Sequence, residues 1–174
     1  MGLSGRDDQL IQAEKMAIER PGAGERRPEI IDLGLVGRVR QVNTDLIDRL
    51  DRFIPVIAPV GIDGQGRSLN INADLVAGRV AAALGAEKLI LLTDVTGVLD
   101  KEGALLSTLT VAEVKALMAD RTISGGMIPK ADCCLEALAQ GVAKTHIIDG
   151  RQPHAVLLEV FTREGIGTQI VGEV

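Results

Sequence analysis

Three short apolar runs, each ended by Gly, Asp or Thr, constrain this chain more than any other feature: RFIPVIAPVG (52–61), KLILLTDVTG (88–97) and KTHIIDG (144–150). Continuous apolar runs of this length read as strands buried on both faces, and therefore as parallel strands under helical cover. Helical signals fill the gaps between them: NTDLIDRL, NADLVAGRVAAALG ending in Gly85, and TVAEVKALMAD, which opens with a Thr-x-x-Glu capping box at Thr110 and Glu113. PHAVLLEVF follows the last run, with Pro153 suited to a first helical turn. The alternation predicts an α/β fold, a three-layer αβα sandwich with a mainly parallel open sheet, right-handed crossovers and ligands beyond the carboxyl ends of the strands. The first forty residues differ: QLIQAEKMAI and EIIDLGLVGRVRQV flank the turn-rich ERPGAGERRP, which predicts a hairpin or projecting loop.

Composition excludes several functions. A formal charge of −5, two Phe, no Trp and no Tyr leave neither the basic face nor the stacking rings of a nucleic-acid binder. No apolar run reaches the roughly 18 residues of a membrane helix, and MGLSGRDDQL lacks the basic and apolar stretches of a secretion signal, so a cytoplasmic protein without a membrane partner is expected. Cys133 and Cys134 are adjacent, which suits neither a mutual disulfide nor a zinc site; buried or half-buried thiols in a reducing compartment are expected.

Three stretches carry candidate chemistry. In TISGGMIPKADCCLEALAQG (122–141), apolar positions 128, 131, 135, 138 and 142 predict the seam of a helix, with Lys130 off it. Gly125 and Gly126 would let a ligand approach the backbone, the helix start would attract an anion, and Lys130 would add a mobile charge for phosphate. A plain turn followed by a solvated lysine explains the same residues, and the spacing does not decide between them. Neither a Gly-x-x-x-x-Gly-Lys-Ser/Thr loop nor a Gly-x-Gly-x-x-Gly turn occurs. In SLNINADLVAG (68–78), Asn72 is a competent N-cap and Asp74 favours a first turn, which leaves Asn70 without a structural reason. In LLTDVTGVLD (91–100), polar Thr93, Asp94 and Thr96 and then Gly97 end a buried strand where such sheets bind ligands, although a strand followed by a turn accounts for them equally.

Taken together, VGIDGQGRSLNINADLVAGRVAAALGAEKLILLTDVTGVLD and ISGGMIPKADCCLEALAQGVAKTHIIDG resemble the acetylglutamate kinases of the amino-acid kinase family. Asn-x-Asn-Ala-Asp, Thr-Asp-Val-Thr-Gly-Val and Gly-Gly-Met-x-x-Lys appear in the family's order. The resemblance implies ATP-dependent phosphorylation of the side-chain carboxylate of N-acetyl-L-glutamate, an early step of arginine biosynthesis, with Mg²⁺ accompanying the nucleotide. It implies that Lys130 stabilises the transferring phosphoryl group, that Asp74 orients the catalytic lysines and that Asn70 holds acetylglutamate. Thr93, Asp94, Val95, Thr96, Gly97, Val98 and Leu99 would line the nucleotide site, with Ser124, Gly125 and Gly126 near the phosphates. No side chain is assigned to the metal. The tail HAVLLEVFTREGIGTQIV resembles that of arginine-inhibited members, which makes His154, Glu164 and Gly167 candidates for an arginine effector site. A last helix, a Gly-rich turn and an edge strand GTQIV would explain the tail without an effector.

The family's Lys-x-Gly-Gly strand, His-Gly-Gly-Gly-like loop and substrate-binding arginine have no counterpart here, so MGLSGRDDQLI is expected to be an internal start. Residues 1–86 would then be the remnant of an amino-terminal acetylglutamate-binding lobe with an apolar cut face, and 87–174 a carboxyl-terminal nucleotide-binding lobe. Losing one donor to a transition state costs about 10² to 10³ in rate, so the chain alone is expected to be a poor kinase that still binds ATP. A homo-oligomer is expected. Two alternatives stand beside this reading: another amino-acid kinase, such as glutamate 5-kinase or aspartokinase, and a non-catalytic nucleotide- or arginine-binding module. Asn-Ile-Asn-Ala-Asp favours acetylglutamate.

Overall fold

The computed structural model describes residues 1–20, 29–50, 52–162 and 165–172. The chain forms two compact units, Met1–Arg79 and Val80–Val174.

In the first unit β1 (Gly2–Leu3) and, after the long strands β2 (Ile11–Arg20) and β3 (Glu29–Val42), the one-turn helix α1 (Asp45–Asp48) lead to three short strands, β4 (Val56–Ile57), β5 (Val60–Ile62) and β6 (Ser68–Asn70). The expected hairpin is present as antiparallel β2 and β3; residues 21–28 of its turn-rich tip lie outside the described residues. It does not project alone, because β5 and β6 close it into a four-stranded barrel in the order β2-β3-β6-β5. Leu10, Ile11, Ala13, Leu69 and Ile71 are its buried side chains. Closure needs glycine at 61, where a Cβ would lie 2.5 Å from that of Ala13. The single strand expected over 52–61 is instead divided between β4, which pairs in parallel with β1, and β5. Pro55 and Pro59 explain the division, since neither can donate a ladder hydrogen bond. Phe53, Ile54 and Val56, beside this break, are more than half exposed.

Helix α2 (Ala73–Ala83) begins in the first unit with Asn72 as its cap: Asn72 Oδ1 accepts the N–H groups of Asp74 and Leu75 at 2.9 and 3.2 Å. It stops before Gly85, whose φ of +58° suits the left-handed turn at a helix end.

The second unit is a four-stranded sheet made from β7 (Lys88–Thr93), β8 (Thr108–Thr110), β9 (Lys144–Asp149) and β10 (Thr168–Val171), in the order β7-β9-β10-β8. Helices α3 (Val111–Ala119), α4 (Met127–Ala139) and α5 (Ala155–Phe161) pack on it. The α/β class expected from the alternation is the one observed. Two of the expected strands, β7 and β9, pair in parallel over six residues, from Lys88 opposite Lys144 to Thr93 opposite Asp149. Thr145 to Ile148 are all buried, so β9 is covered on both faces.

The expected capping box starts α3, with Thr110 N–H donating to Glu113 Oε2 at 2.7 Å and Glu113 N–H to Thr110 Oγ1 at 3.2 Å. Pro153 is not in the first turn of α5: His154 is the N-cap, at φ +61°. Strand GTQIV is not at an edge, because β10 lies between β9 and β8 with Thr168 and Ile170 fully buried. Thr168 tolerates this because its hydroxyl accepts the Val98 N–H at 2.8 Å.

Candidate active site

Register fixes the first half of the site. Because Thr93 and Asp149 are opposite each other and Gly150 N–H donates to the Thr93 carbonyl at 2.8 Å, the chain leaves β7 and β9 side by side at their carboxyl ends. Asp94 and Arg151 are therefore neighbours. The guanidinium and backbone N–H of Arg151 hold the Asp149 carboxyl down at about 2, against an ordinary 3.8.

The segment expected to bind nucleotide divides in two. Asp94, Val95 and Thr96 are exposed at this edge, whereas Gly97 and Val98 are buried. The buried pair has a structural duty: Val98 N–H bonds the Thr168 hydroxyl, and a Cβ on Gly97, at φ +151°, would lie 2.6 Å from that hydroxyl. Leu99 bridges to Leu105 at the mouth of a turn closed by Asp100 Oδ1, which accepts the N–H groups of Glu102 and Ala104.

Helix α4 brings the second half. Thirteen residues at about 1.5 Å each span about 20 Å, the length of the six-residue strand β9 at about 3.3 Å each. The helix returns along β9 and β7, against which it packs, so its start comes back to the level of their carboxyl ends. Its buried face is Ala131, Cys133, Cys134 and Ala137, rotated from the expected seam; Ile128 is exposed and Lys130 half-buried. Lys130 thus flanks the buried face, four and seven residues from Cys134 and Ala137, rather than lying well off it. Both thiols are buried, as expected.

The helix start also differs from a simple anion cup. Met127 and Ile128 N–H groups bond the carbonyls of Ser124 and Gly125 at 3.2 and 3.3 Å, and Pro129 has no N–H. What distinguishes this end is missing bulk. Gly125 needs its φ of +56°, but Gly126 has ordinary helical angles and open space where a Cβ would stand. Nothing in the folded chain requires glycine at 126, so a methyl group there should leave stability unchanged or raise it by about 0.4–1 kcal/mol. Gly126→Ala is expected to melt no lower than the parent, measured by thermal unfolding.

In the first unit Asn70 ends β6 with its side chain exposed, and Asp74 is half-buried in the first turn of α2, four residues on. Asn72 is spent on capping. Asp74 belongs to the first unit and Lys130 to the second.

At the opposite, amino-terminal part of β9 the second unit holds a polar cavity of about 150 Å³, lined among others by Lys88, His146, Glu159, Gly165 and Gly167. His146 Nδ1 lies 2.6 Å from Glu159 Oε1, with both side chains buried. Burial alone would raise the Glu159 carboxyl, but the Ile166 N–H and the His146 ring hold it below the ordinary glutamate range. His146 Nε2 is buried without a hydrogen-bond partner. Of the two expected effector residues that are described, Gly167 lines this cavity and His154 does not. His154 is an exposed helix cap, and Glu164 lies outside the described residues. His146 and Glu159 were missed, and the signal for them was a histidine inside an apolar strand.

The profile of the amino acid kinase family matches residues 2–149. The chain belongs to the amino acid kinase family. This amino acid kinase chain is 56% identical over 173 residues to an acetylglutamate kinase of Syntrophobacter fumaroxidans and 58% identical over 175 residues to one of Solidesulfovibrio magneticus, in each case over 98% of the chain. It spans 58% of the length of these curated relatives. Among solved structures, an N-acetylglutamate synthase from Neisseria gonorrhoeae complexed with coenzyme A and L-arginine superposes with a TM-score of 0.80 at 28% identity, over 98% of this chain and 38% of that one.

Proposed function

We propose that this sequence belongs to an enzyme that transfers the γ-phosphoryl group of ATP to the side-chain carboxylate of N-acetyl-L-glutamate, giving N-acetylglutamyl 5-phosphate for arginine biosynthesis in the cytoplasm. The observation that carries this reading is the 55–58% identity to acetylglutamate kinases over nearly the whole chain. Such transfer requires alignment and charge stabilisation more than covalent chemistry, because the substrate carboxylate is itself the nucleophile.

In this reading residues 87–174 bind the nucleotide and residues 1–86 contribute to the acetylglutamate side. Thr93 to Thr96 and Leu99 meet the nucleotide, Gly97 and Val98 hold that loop on the sheet, and Ser124 to Gly126 leave room for the phosphates. Lys130 follows the charge of the moving phosphoryl group, Asp74 orients the catalytic cations and Asn70 holds acetylglutamate. Mg²⁺ comes with ATP. An ion of this kind is held largely by substrate phosphate oxygens and water. A homo-oligomer forms the working enzyme.

Arginine is proposed as an effector in the cavity around Glu159. Its support is a buried carboxylate for a guanidinium or ammonium group and, when His146 Nδ1 carries the proton to Glu159, an unpaired acceptor at Nε2.

The test is ADP release from a chimera in which this chain replaces the matching stretch of the Syntrophobacter relative. Turnover with acetylglutamate well above that with glutamate or aspartate is expected; preference for an unacetylated acid would reject the assignment.

A further inference from the structure

We propose that Arg151, held flat by Asp149, is the plate on which the adenine of ATP stacks. This deepens the nucleotide reading above and rests on it.

A purine needs a flat or apolar partner on its face, and this chain is nearly without rings: it has two Phe and neither Trp nor Tyr. Of these, Phe161 alone belongs to the second unit. Phe161 ends α5, two residues beyond Glu159, which already reaches back to the third residue of β9, so Phe161 lies toward the strand's amino end. The edge itself presents half-exposed Leu92, exposed Val95 and Leu99, and one planar group, the Arg151 guanidinium.

That guanidinium is already ordered. Nε donates to Asp149 Oδ1 at 3.0 Å and Nη2 to Oδ2 at 2.9 Å, a two-point fork that fixes its plane, and the Arg151 N–H also bonds Oδ1 at 2.9 Å. Two-thirds of the Arg151 side chain remains exposed. Gly150 allows the arrangement, because a Cβ there would lie 3.1 Å from that of Leu92. The alternative duty, a charge contact to phosphate, suits this arginine poorly. Asp149 neutralises it and Asp94 also interacts with it, so an anion would meet two carboxylates. Guanidinium planes stack on aromatic faces while keeping such partners in the plane, and an exposed Asp94 beside the plate offers an acceptor for the amino or hydroxyl groups of adenosine.

The test compares ATP with inorganic tripolyphosphate, which has the charge but no base, by calorimetry on the parent chain, Arg151→Ala and Arg151→Lys. Because the chain has neither Trp nor Tyr, the ultraviolet difference spectrum of the adenine band also reports stacking with little interference. The expected result is about a tenfold loss of ATP affinity in both variants, loss of the adenine difference spectrum, and unchanged tripolyphosphate binding. Circular dichroism melting of both variants should match the parent. Equal losses for ATP and tripolyphosphate with recovery in Arg151→Lys would make the residue a phosphate contact and overturn the proposal, as would parent-like ATP binding in Arg151→Ala. A parent chain that binds no ATP would overturn the nucleotide reading and this inference with it.

Discussion

Replacing Lys130 by alanine in the chimera is expected to lower the rate of ADP release by about 10²- to 10³-fold, the usual cost of removing one preorganised donor from a charged transition state. The loss should fall on kcat and kcat/KM together, because the lysine is proposed to act as negative charge shifts between donor and acceptor oxygens rather than in binding either substrate. Stability should not explain it. Alanine is the better helix former, and Lys130 is only half-buried in the first turn of α4. A variant that keeps kcat and only raises KM for ATP would turn Lys130 into a simple phosphate anchor. Asp74→Ala offers the matching control, since a residue that orients cations should lose rate without losing ATP affinity.

The second large effect is structural. Glu159→Ala is expected to destabilise the protein by about 3–5 kcal/mol, because it leaves His146 and the Ile166 N–H buried without their shared partner. Glu159→Gln keeps the shape and part of the bonding, so it should cost less. The pH dependence has a definite sign. The Glu159 carboxyl lies below its ordinary 4.5 in the folded chain, so its contribution is present above that value and disappears as pH falls through the depressed one. Urea titrations of parent and Glu159→Gln should therefore converge as pH falls below about 4.5, the convergence being complete only beneath the folded value. Both variants should also lose arginine binding, measured by calorimetry. Retained arginine affinity in Glu159→Gln would remove arginine from this cavity.

How much of this was legible before any coordinates depended on range along the chain. Strands β7 and β9 were visible because six residues buried on both faces need an unbroken apolar run, and the Thr110–Glu113 box announces a helix start within four residues. Barrel closure was not visible, since it rests on pairings such as Gln12 with Ile62 and Val36 with Asn70 that no local pattern encodes. Strand β10 was misplaced to an edge because Thr168 and Gln169 look like solvent-facing residues; the Thr168 hydroxyl is buried only because Val98, seventy residues away, supplies its donor.

The site shows the same division. Gly125, Gly126 and Lys130 lie together in sequence and could be read together, as could Asn70 and Asp74. The first group belongs to the second unit and the second group to the first. The two histidines divide in the same way: the sequence offers His146 and His154, and only packing shows that the strand residue meets Glu159 while the other stands at a helix start. Arg151 was passed over because an arginine after Asp-Gly looks like an ordinary turn residue, and its value comes from the register that sets it beside Asp94.

The central claim is that ATP binds where β7 and β9 end and α4 begins. Amide chemical-shift mapping of the isotope-labelled chain during titration with Mg·ATP tests this most directly. The account predicts that the largest shifts cluster at Thr93–Thr96, Ser124–Met127 and Gly150–Arg151 and saturate together. Shifts concentrated instead around the His146–Glu159 cavity, or in the first unit with those three segments unmoved, would contradict it.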